Sequence, residues 1–534
     1  MQSEPRNATM QNVGTRPAGQ NPSDQVFKTR HGGKDLKKRS VRSGAVTIGS
    51  QAAQFVLQTG ATAVLARLLV PRDFGIVAMA LSFTAFAQVF KDMGLSSASI
   101  QRKELTHAQV SALFWINVLA GAALTVVLAA TAPLMVWFFH RPEVLWVTVA
   151  LSTTFVIGSL GIQHTALLNR DMRFRDLAVI RVASLAAGLL CAIGAAFIGL
   201  RYWALVCNAL VNPLVSVIML WSYSKWRPTR PARAHGVRAL FRFGANVTGF
   251  NLTNYFSRNL DAVLIGRVWG AGPLGLYTRA YALLMLPISN LRNPLNAVAY
   301  PALSHLQDQP ERFRAYIRRY IAVLGFASMP IAAFLFVCSD NVIDILLGSR
   351  WIGASAIFRL LAVAAFIQPV VSIRGLVLMS TGQGRRFFWW GIWNAASLSA
   401  AFGIGVAWGP KGVALAYSIA YYVILYPSLW FAFKGTPVRM ADFFKPAVTP
   451  AIASLLAAAA ALALKDLLSL KHDLPTLAGC AAAFVLAYLA VFCILPGGRA
   501  ELREFLSYAL MVLGRRKASG AAGAPAFEGS AKNG

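Results

Sequence analysis

The chain has 534 residues, 57% hydrophobic and only 13% charged, with a mean hydropathy of +0.55. A soluble domain carries about 25% charged residues, so that class is excluded. Apolar blocks of about 20 or more residues suit helices crossing a bilayer, not the short alternating segments of a barrel. The formal charge of +31 first points to nucleic acid, but the Lys and Arg residues are spread through short loops and tails. That is the distribution membrane orientation produces, and no basic face or nucleic-acid motif accompanies it.

Residues 1–42 are polar and end in Lys37, Lys38, Arg39 and Arg42. They hold no apolar core of about 7–15 residues before a cleavage site, so they read as a disordered cytoplasmic tail, not a signal peptide. Apolar blocks follow at 44–70, 75–91, 108–138, 144–168, 178–200, 203–222, 238–268, 275–302, 315–345, 351–379, 387–408, 412–433, 446–464 and 474–496. They predict an all-α polytopic membrane protein of about 14 transmembrane helices. A cytoplasmic tail over 497–534 closes the chain. Cys191, Cys207, Cys338, Cys480 and Cys493 all fall inside apolar blocks and read as small core hydrophobes, not a disulfide or metal set.

Alternate loops differ in charge. With the N-terminus inside, internal loops carry 21 Lys and Arg residues against 7 outside, which assigns both termini to the cytoplasm. The external loops are too short for the external domain that wall polymerases and oligosaccharide ligases use.

The chain also repeats itself. At an offset of 200, Gly44-Ala45 matches Gly244-Ala245, Arg67 matches Arg267, Gly75 matches Gly275 and Ala80 matches Ala280. At an offset of 213, Ala183-Ser184-Leu185 matches Ala396-Ser397-Leu398. The units, 43–222 and 238–433, each hold six spans and enter from the same side, so they form a parallel repeat: two pseudo-symmetric six-helix lobes around a central cavity. A cytoplasmic linker over 223–242, overlapping the start of helix 7, joins them. Two peripheral helices within 446–496 lie outside the repeat.

The first helix of each lobe carries a polar stripe. Asn251, Asn254, Arg258 and Asp261 are spaced 3, 4 and 3, which places them on one helix face. At the offset of 200 the first lobe has Gln51, Gln54, Gln58 and Ala61. A charge at mid-bilayer costs about 2.5–3.5 kcal/mol on insertion scales, so these faces should line a wet cavity or a neighbouring helix. Two readings of Arg258 and Asp261 stand: an ion pair that locks helices, or a contact with the transported molecule. Arginine outnumbers embedded acid, with Arg181, Arg279, Arg292 and Arg374 as further cavity candidates. That surplus suits an anionic passenger, above all a phosphate held by guanidinium. Arg67 and Arg267 sit near outer helix ends and read as structural or snorkelling residues. His164, alone in an apolar span, reads as a packed helix contact.

YFSRNLDAVLIGRVWGAGPLGLYTRAYAL (255–283) resembles the signature of Wzx-type lipid-linked oligosaccharide flippases of the polysaccharide transporter family, within the MOP superfamily. LARLLVPRDFGIVAMA (65–80), LLNRDMRF (167–174) and WIGASAIFRLLA (351–362) also fit. The resemblance covers about residues 40–434 and is nearest the colanic-acid and exopolysaccharide exporter branch. It implies a V-shaped pair of lobes with a cationic cavity, and a groove at the two peripheral helices for a polyprenyl tail. It implies a passenger of undecaprenyl diphosphate bearing an oligosaccharide, carried from the cytoplasmic to the periplasmic leaflet of the bacterial inner membrane. Polymerase and glycosyltransferases of the same pathway would be partners. It does not assign the arginines that hold the diphosphate.

No ATP-binding loop is present, since TGQGRR (381–386) lacks the required spacing, and no acid/base or metal-ligand set appears. No enzymatic activity, cofactor, metal or nucleic-acid partner is therefore expected. The rival reading is a cation-coupled drug or metabolite exporter of the related MATE type. Such exporters commonly place an essential acid in the first lobe, where this chain has none clearly at mid-membrane. Asp261 keeps proton coupling open.

Overall fold

The computed structural model describes residues 26–28, 33–91, 104–229, 259–467 and 474–495, with short pieces at 498–499 and 502–503. The first lobe contains α1 (Gly33–Leu68), α2 (Pro71–Lys91), α3 (His107–Phe139), α4 (Glu143–Arg170), α5 (Phe174–Phe197) and α6 (Trp203–Tyr223). The second contains α7, described over 259–269, then α8 (Ala271–His305), α9 (Pro310–Val337), α10 (Gly353–Val371, continued by Ile373–Ser380), α11 (Gly384–Gly405) and α12 (Gly409–Phe433). Two further helices, α13 (Met440–Leu467) and α14 (Leu474–Ile494), follow. The architecture is thus the predicted one: about fourteen helices in two six-helix lobes plus a C-terminal pair.

The boundaries differ from the predicted blocks in ways the backbone explains. α1 starts at Gly33, well ahead of the block at 44, because Lys and Arg are good helix formers once a helix is nucleated. A three-residue strand, β1 (Val26–Lys28), pairs antiparallel with β2 (Glu104–Thr106). The predicted block 315–345 is broken at Cys338, after which a short helix, Ser339–Leu347, runs to Gly348 at φ +94°. α3 begins with a reciprocal cap: Thr106 Oγ1 accepts from the Gln109 amide at 3.3 Å, and Gln109 Oε1 accepts from the Thr106 amide at 3.2 Å. Two otherwise orphaned amides are satisfied where the chain enters the helix.

Within the first lobe α3 packs along α4, α5 along α6, and α1 against α5. In the second, α10 is central and touches α8, α9 and α12. α13 lies along α9, and α14 along α13. Nine stretches of the described residues are long and apolar enough to span a membrane by length and composition. α8 is not one of them. It holds Arg279, Arg292 and three prolines, Pro287, Pro294 and Pro301, at seven-residue spacing. Each proline removes an intrahelical hydrogen bond on nearly the same face, so α8 suits a position shielded from lipid.

The lobes meet where α2 crosses α8, and the contact is reciprocal. A Cβ on Gly75 would lie 1.7 Å from the Ala271 carbonyl oxygen, and one on Gly275 would lie 1.8 Å from that of Pro71. Residues 71 and 75 meet 271 and 275, the same positions at the offset of 200. The sequence repeat is therefore a pseudo-two-fold axis through this crossing. Neighbouring contacts follow it. Arg67 donates to the Ile345 carbonyl at 2.9 Å, and Arg267 lies 5.7 Å from the Phe138 ring. Trp351 donates its indole N–H to the Ala66 carbonyl at 2.8 Å, and its ring meets Phe74 edge-on at 5.2 Å.

The crossing predicts a position-specific cost. Gly75→Ala should destabilise the detergent-solubilised protein by about 1–3 kcal/mol or more, because a methyl group is driven into backbone. Gly60→Ala, whose added Cβ meets nothing within 4 Å, is the control. A thermal-unfolding comparison checks it: equal midpoints for the two variants would contradict the crossing.

Candidate functional site

The α7–α8 hairpin turns at Gly270, φ +81°, and Trp269 anchors it by donating to the Val406 carbonyl at 2.7 Å. The hairpin sets α7 beside α8. Asp261 thereby meets Tyr277, whose hydroxyl donates to Asp261 Oδ2 at 2.8 Å, while Oδ1 accepts from the Ala262 amide at 2.8 Å. Asn251, Asn254 and Arg258 lie outside the described residues, so the described partners of Asp261 are a tyrosine and a backbone amide.

From Tyr277 a polar string continues through the second lobe. Tyr281, one turn along α8, faces Gln368 and Tyr417. Gln368 Nε2 donates to the Tyr417 hydroxyl at 3.1 Å, and the Tyr417 ring stacks on Phe402 at 5.8 Å. Tyr421, one turn along α12, interacts with Arg374. The Arg374 guanidinium is buried. It donates to the Val371 carbonyl at 3.1 Å and to Ser428 Oγ at 2.5 Å, and lies 4.5 Å from the Trp390 ring centroid. Arg374 thus ties α10, α11 and α12 together. Sequence reasoning missed the tyrosines. Their signal was the spacing: Tyr277 and Tyr281, and Tyr417 and Tyr421, are i,i+4 pairs, each on one helix face.

The other arginines have different surroundings. Arg279 reaches from α8 across the seam between lobes and lies 4.2 Å from the Phe74 ring of α2, a cation–π contact. Arg292 lies 13 residues further along α8, about 20 Å by helical rise. It is half-buried, and its Nε is buried with no hydrogen-bond partner among the described residues. Arg181, on α5, stands exposed on the first lobe. On α1, Gln51 and Gln54 are half-buried and Gln58 exposed, with Gln54 Nε2 donating to the Ser50 carbonyl at 3.1 Å. His164 is fully buried, stacked on Trp221 at 4.8 Å with Trp226 edge-on at 5.1 Å, a packed contact as expected.

The candidates therefore separate into three groups. Asp261 and Arg374 belong to one polar string inside the second lobe. Arg279 and Arg292 lie along α8, the first of them at the seam between lobes. Arg181 and the glutamines belong to the first lobe. Chemically, the α8 group offers guanidinium donors without a carboxylate partner among the described residues, an arrangement that favours a phosphate or other anion.

A family described as polysaccharide biosynthesis protein matches residues 64–356, more than half of the chain. The lipopolysaccharide biosynthesis protein WzxC of Escherichia coli is 27% identical over 70% of this chain and 78% of its own length. The succinoglycan biosynthesis transport protein ExoT of Rhizobium meliloti is 26% identical over 79% of this chain and 85% of its own. Among solved structures, the lipid II flippase MurJ in an inward closed conformation superposes with a TM-score of 0.66 at 16% identity, covering 85% of this chain and 98% of MurJ. An inward-facing MATE family multidrug transporter superposes at 0.51 with 14% identity, covering 72% and 93%. At these identities the structural likenesses establish the fold alone.

Loss of the Tyr277 hydroxyl leaves Asp261 Oδ2 without its donor. Tyr277→Phe should cost about 1–3 kcal/mol, read as a lower unfolding midpoint in detergent. An unchanged midpoint would mean that water or another group satisfies the carboxylate.

Proposed function

The chain belongs to the polysaccharide biosynthesis protein family, and on that premise we propose that it moves a polyprenyl-diphosphate-linked oligosaccharide from the cytoplasmic to the periplasmic leaflet of the inner membrane. The observation that carries the reading is the unmatched cation on α8: Arg292 Nε is buried without a partner among the described residues, and Arg279 is held across the seam by an aromatic face. The names of the relatives, polysaccharide biosynthesis and transport proteins, support the same class of passenger. No bond is made or broken in this reading.

By the charge of its loops both termini are cytoplasmic, and the α2–α8 crossing then lies at the periplasmic end. With that end held shut by backbone contact, the cleft opens toward the cytoplasm, where the loaded lipid is made. The diphosphate enters along α8 and meets Arg292 and then Arg279, while the lipid tail stays in the bilayer beside α13 and α14. Release outward requires the crossing to part, and the prolines of α8 provide the bend. Gln51, Gln54 and Gln58 supply neutral donors and acceptors to the sugar. A cytoplasm that is electrically negative favours outward movement of an anion by about 2.3 kcal/mol per charge per 100 mV. Glycosyltransferases and a polymerase act before and after this step.

The MATE-type alternative requires an acid free to exchange a cation. Asp261 is instead engaged at both oxygens, which favours the flippase reading.

The test is a leaflet assay on proteoliposomes holding undecaprenyl-diphosphate oligosaccharide, with sugar exposure followed by an external enzyme. Arg292→Gln should slow exposure about tenfold or more, the cost of one charge-assisted phosphate contact, with no change in unfolding midpoint. Wild-type rates at both substitutions, Arg279→Gln and Arg292→Gln, would sink the assignment of α8 as the anion path. An imposed inside-negative potential should raise the outward rate, and a rate indifferent to potential would remove the electrical bias.

A further inference from the structure

A cavity lies away from the seam, at the base of the first lobe. It has a volume of about 590 Å³ and is lined by His107 of α3, Leu167 and Leu168 of α4, Asp171 and Arg173 between α4 and α5, and Ser224 to Thr229 after α6. These are the helix ends opposite the α2–α8 crossing. The volume falls within the range of ordinary small-molecule sites, about 300–1,000 Å³.

Its chemistry is that of an anion site. Three cations, Arg173, Lys225 and Arg227, face one acid, Asp171. Both guanidiniums are pinned on one edge. Arg173 bonds Asp176 through Nε at 2.5 Å and the Tyr223 carbonyl through Nη1 at 3.0 Å. Arg227 bonds the Ser224 and Trp226 carbonyls through Nη1 at 2.7 and 2.9 Å. Among the described residues that leaves Nη2 of the first, and Nε and Nη2 of the second, for a ligand. Trp226 adds an independent sign. It lines the cavity, it is only 8% exposed, and its indole N–H has no hydrogen-bond partner among the described residues. A buried indole N–H normally finds an acceptor. Here the indole N–H that is short of an acceptor sits on the same segment as two of the cations, Lys225 and Arg227.

The position identifies the source of the anion. Trp226 lines the cavity, and Trp115, whose indole donates to the Thr229 carbonyl at 2.8 Å, and Trp221 lie near it, joined to Trp226 through Phe114. Tryptophan at helix ends marks the depth of lipid headgroups, and Lys and Arg beside it meet the anionic leaflet. We infer that this cavity binds the phosphate of an anionic lipid headgroup, with Arg173, Lys225 and Arg227 holding the phosphate oxygens and the Trp226 indole donating to one of them. The site is separate from the α8 path and does not depend on the flippase reading.

The test uses the purified full chain in detergent, titrated in turn with dioctanoyl-phosphatidylglycerol, dioctanoyl-phosphatidylcholine and inorganic phosphate, with the unfolding midpoint as readout. The glycerol lipid should raise the midpoint saturably, and the choline lipid much less. Substituting both exposed residues, Lys225→Gln and Arg227→Gln, should weaken the effect at least tenfold, with the lipid-free midpoint of the double variant as the reference for its own titration. Trp226→Phe, which keeps an aromatic ring but removes the indole N–H with the rest of the indole, should weaken it severalfold. Inorganic phosphate acting as strongly as the lipid, with the same dependence on these residues, would uphold the phosphate site and assign it a soluble ligand. Equal stabilisation of wild type and the double variant, or none in either, would overturn the proposal.

Discussion

The structure depends on one close approach. Gly75 and Gly275 let α2 and α8 meet backbone to backbone, each glycine against the carbonyl of the residue four positions before its own counterpart. No side chain fits there, so the two lobes have one register, and the pseudo-two-fold axis is set by it. Contacts made by Arg67, Arg267 and Trp351 lie around that point and hold the same end closed. In a bilayer, helix association lacks a hydrophobic drive and relies on close packing of small residues. A glycine crossing is therefore a firm contact, and parting it also breaks the Arg67 and Trp351 hydrogen bonds beside it.

The two lobes share a backbone plan but not an electrostatic one. The first helix of the first lobe presents glutamines, and the corresponding helix of the second carries an aspartate bonded to Tyr277. The second lobe also contains the tyrosine string and the buried Arg374. A cation buried there is tolerable because Ser428, the Val371 carbonyl and the Trp390 face replace its hydration. Among the described residues Arg292 has no such replacement at Nε. On the proposed reading that nitrogen is kept for the passenger, a contrast visible only once the partners are in place.

Much of this was legible in the chain. Hydropathy located fourteen spans, because length and apolarity are dictated by the bilayer, and the offset of 200 named the residues that meet at the crossing. The break at Cys338 was not legible, since Cys338 and Ser339 carry no strong helix-stopping signal. Arg374 looked like a cavity residue because embedded charge alone does not say which way a side chain turns. The tyrosines were passed over because their ring bodies read as ordinary apolar filling. The cavity at the base of the first lobe is assembled from the ends of four helices, so no short stretch of sequence carries it.

The most direct test of the account is to clamp the crossing and watch transport. In a chain freed of its native cysteines, Arg72→Cys and Gly272→Cys would be bridged by a bifunctional thiol reagent cleavable by reduction, and lipid-linked oligosaccharide exposure followed before and after cleavage. If the lobes must part at Gly75 and Gly275, the bridged protein is inactive and reduction restores the rate. Undiminished transport with bridging complete would show that the crossing stays closed throughout the cycle, and that the passenger takes another route.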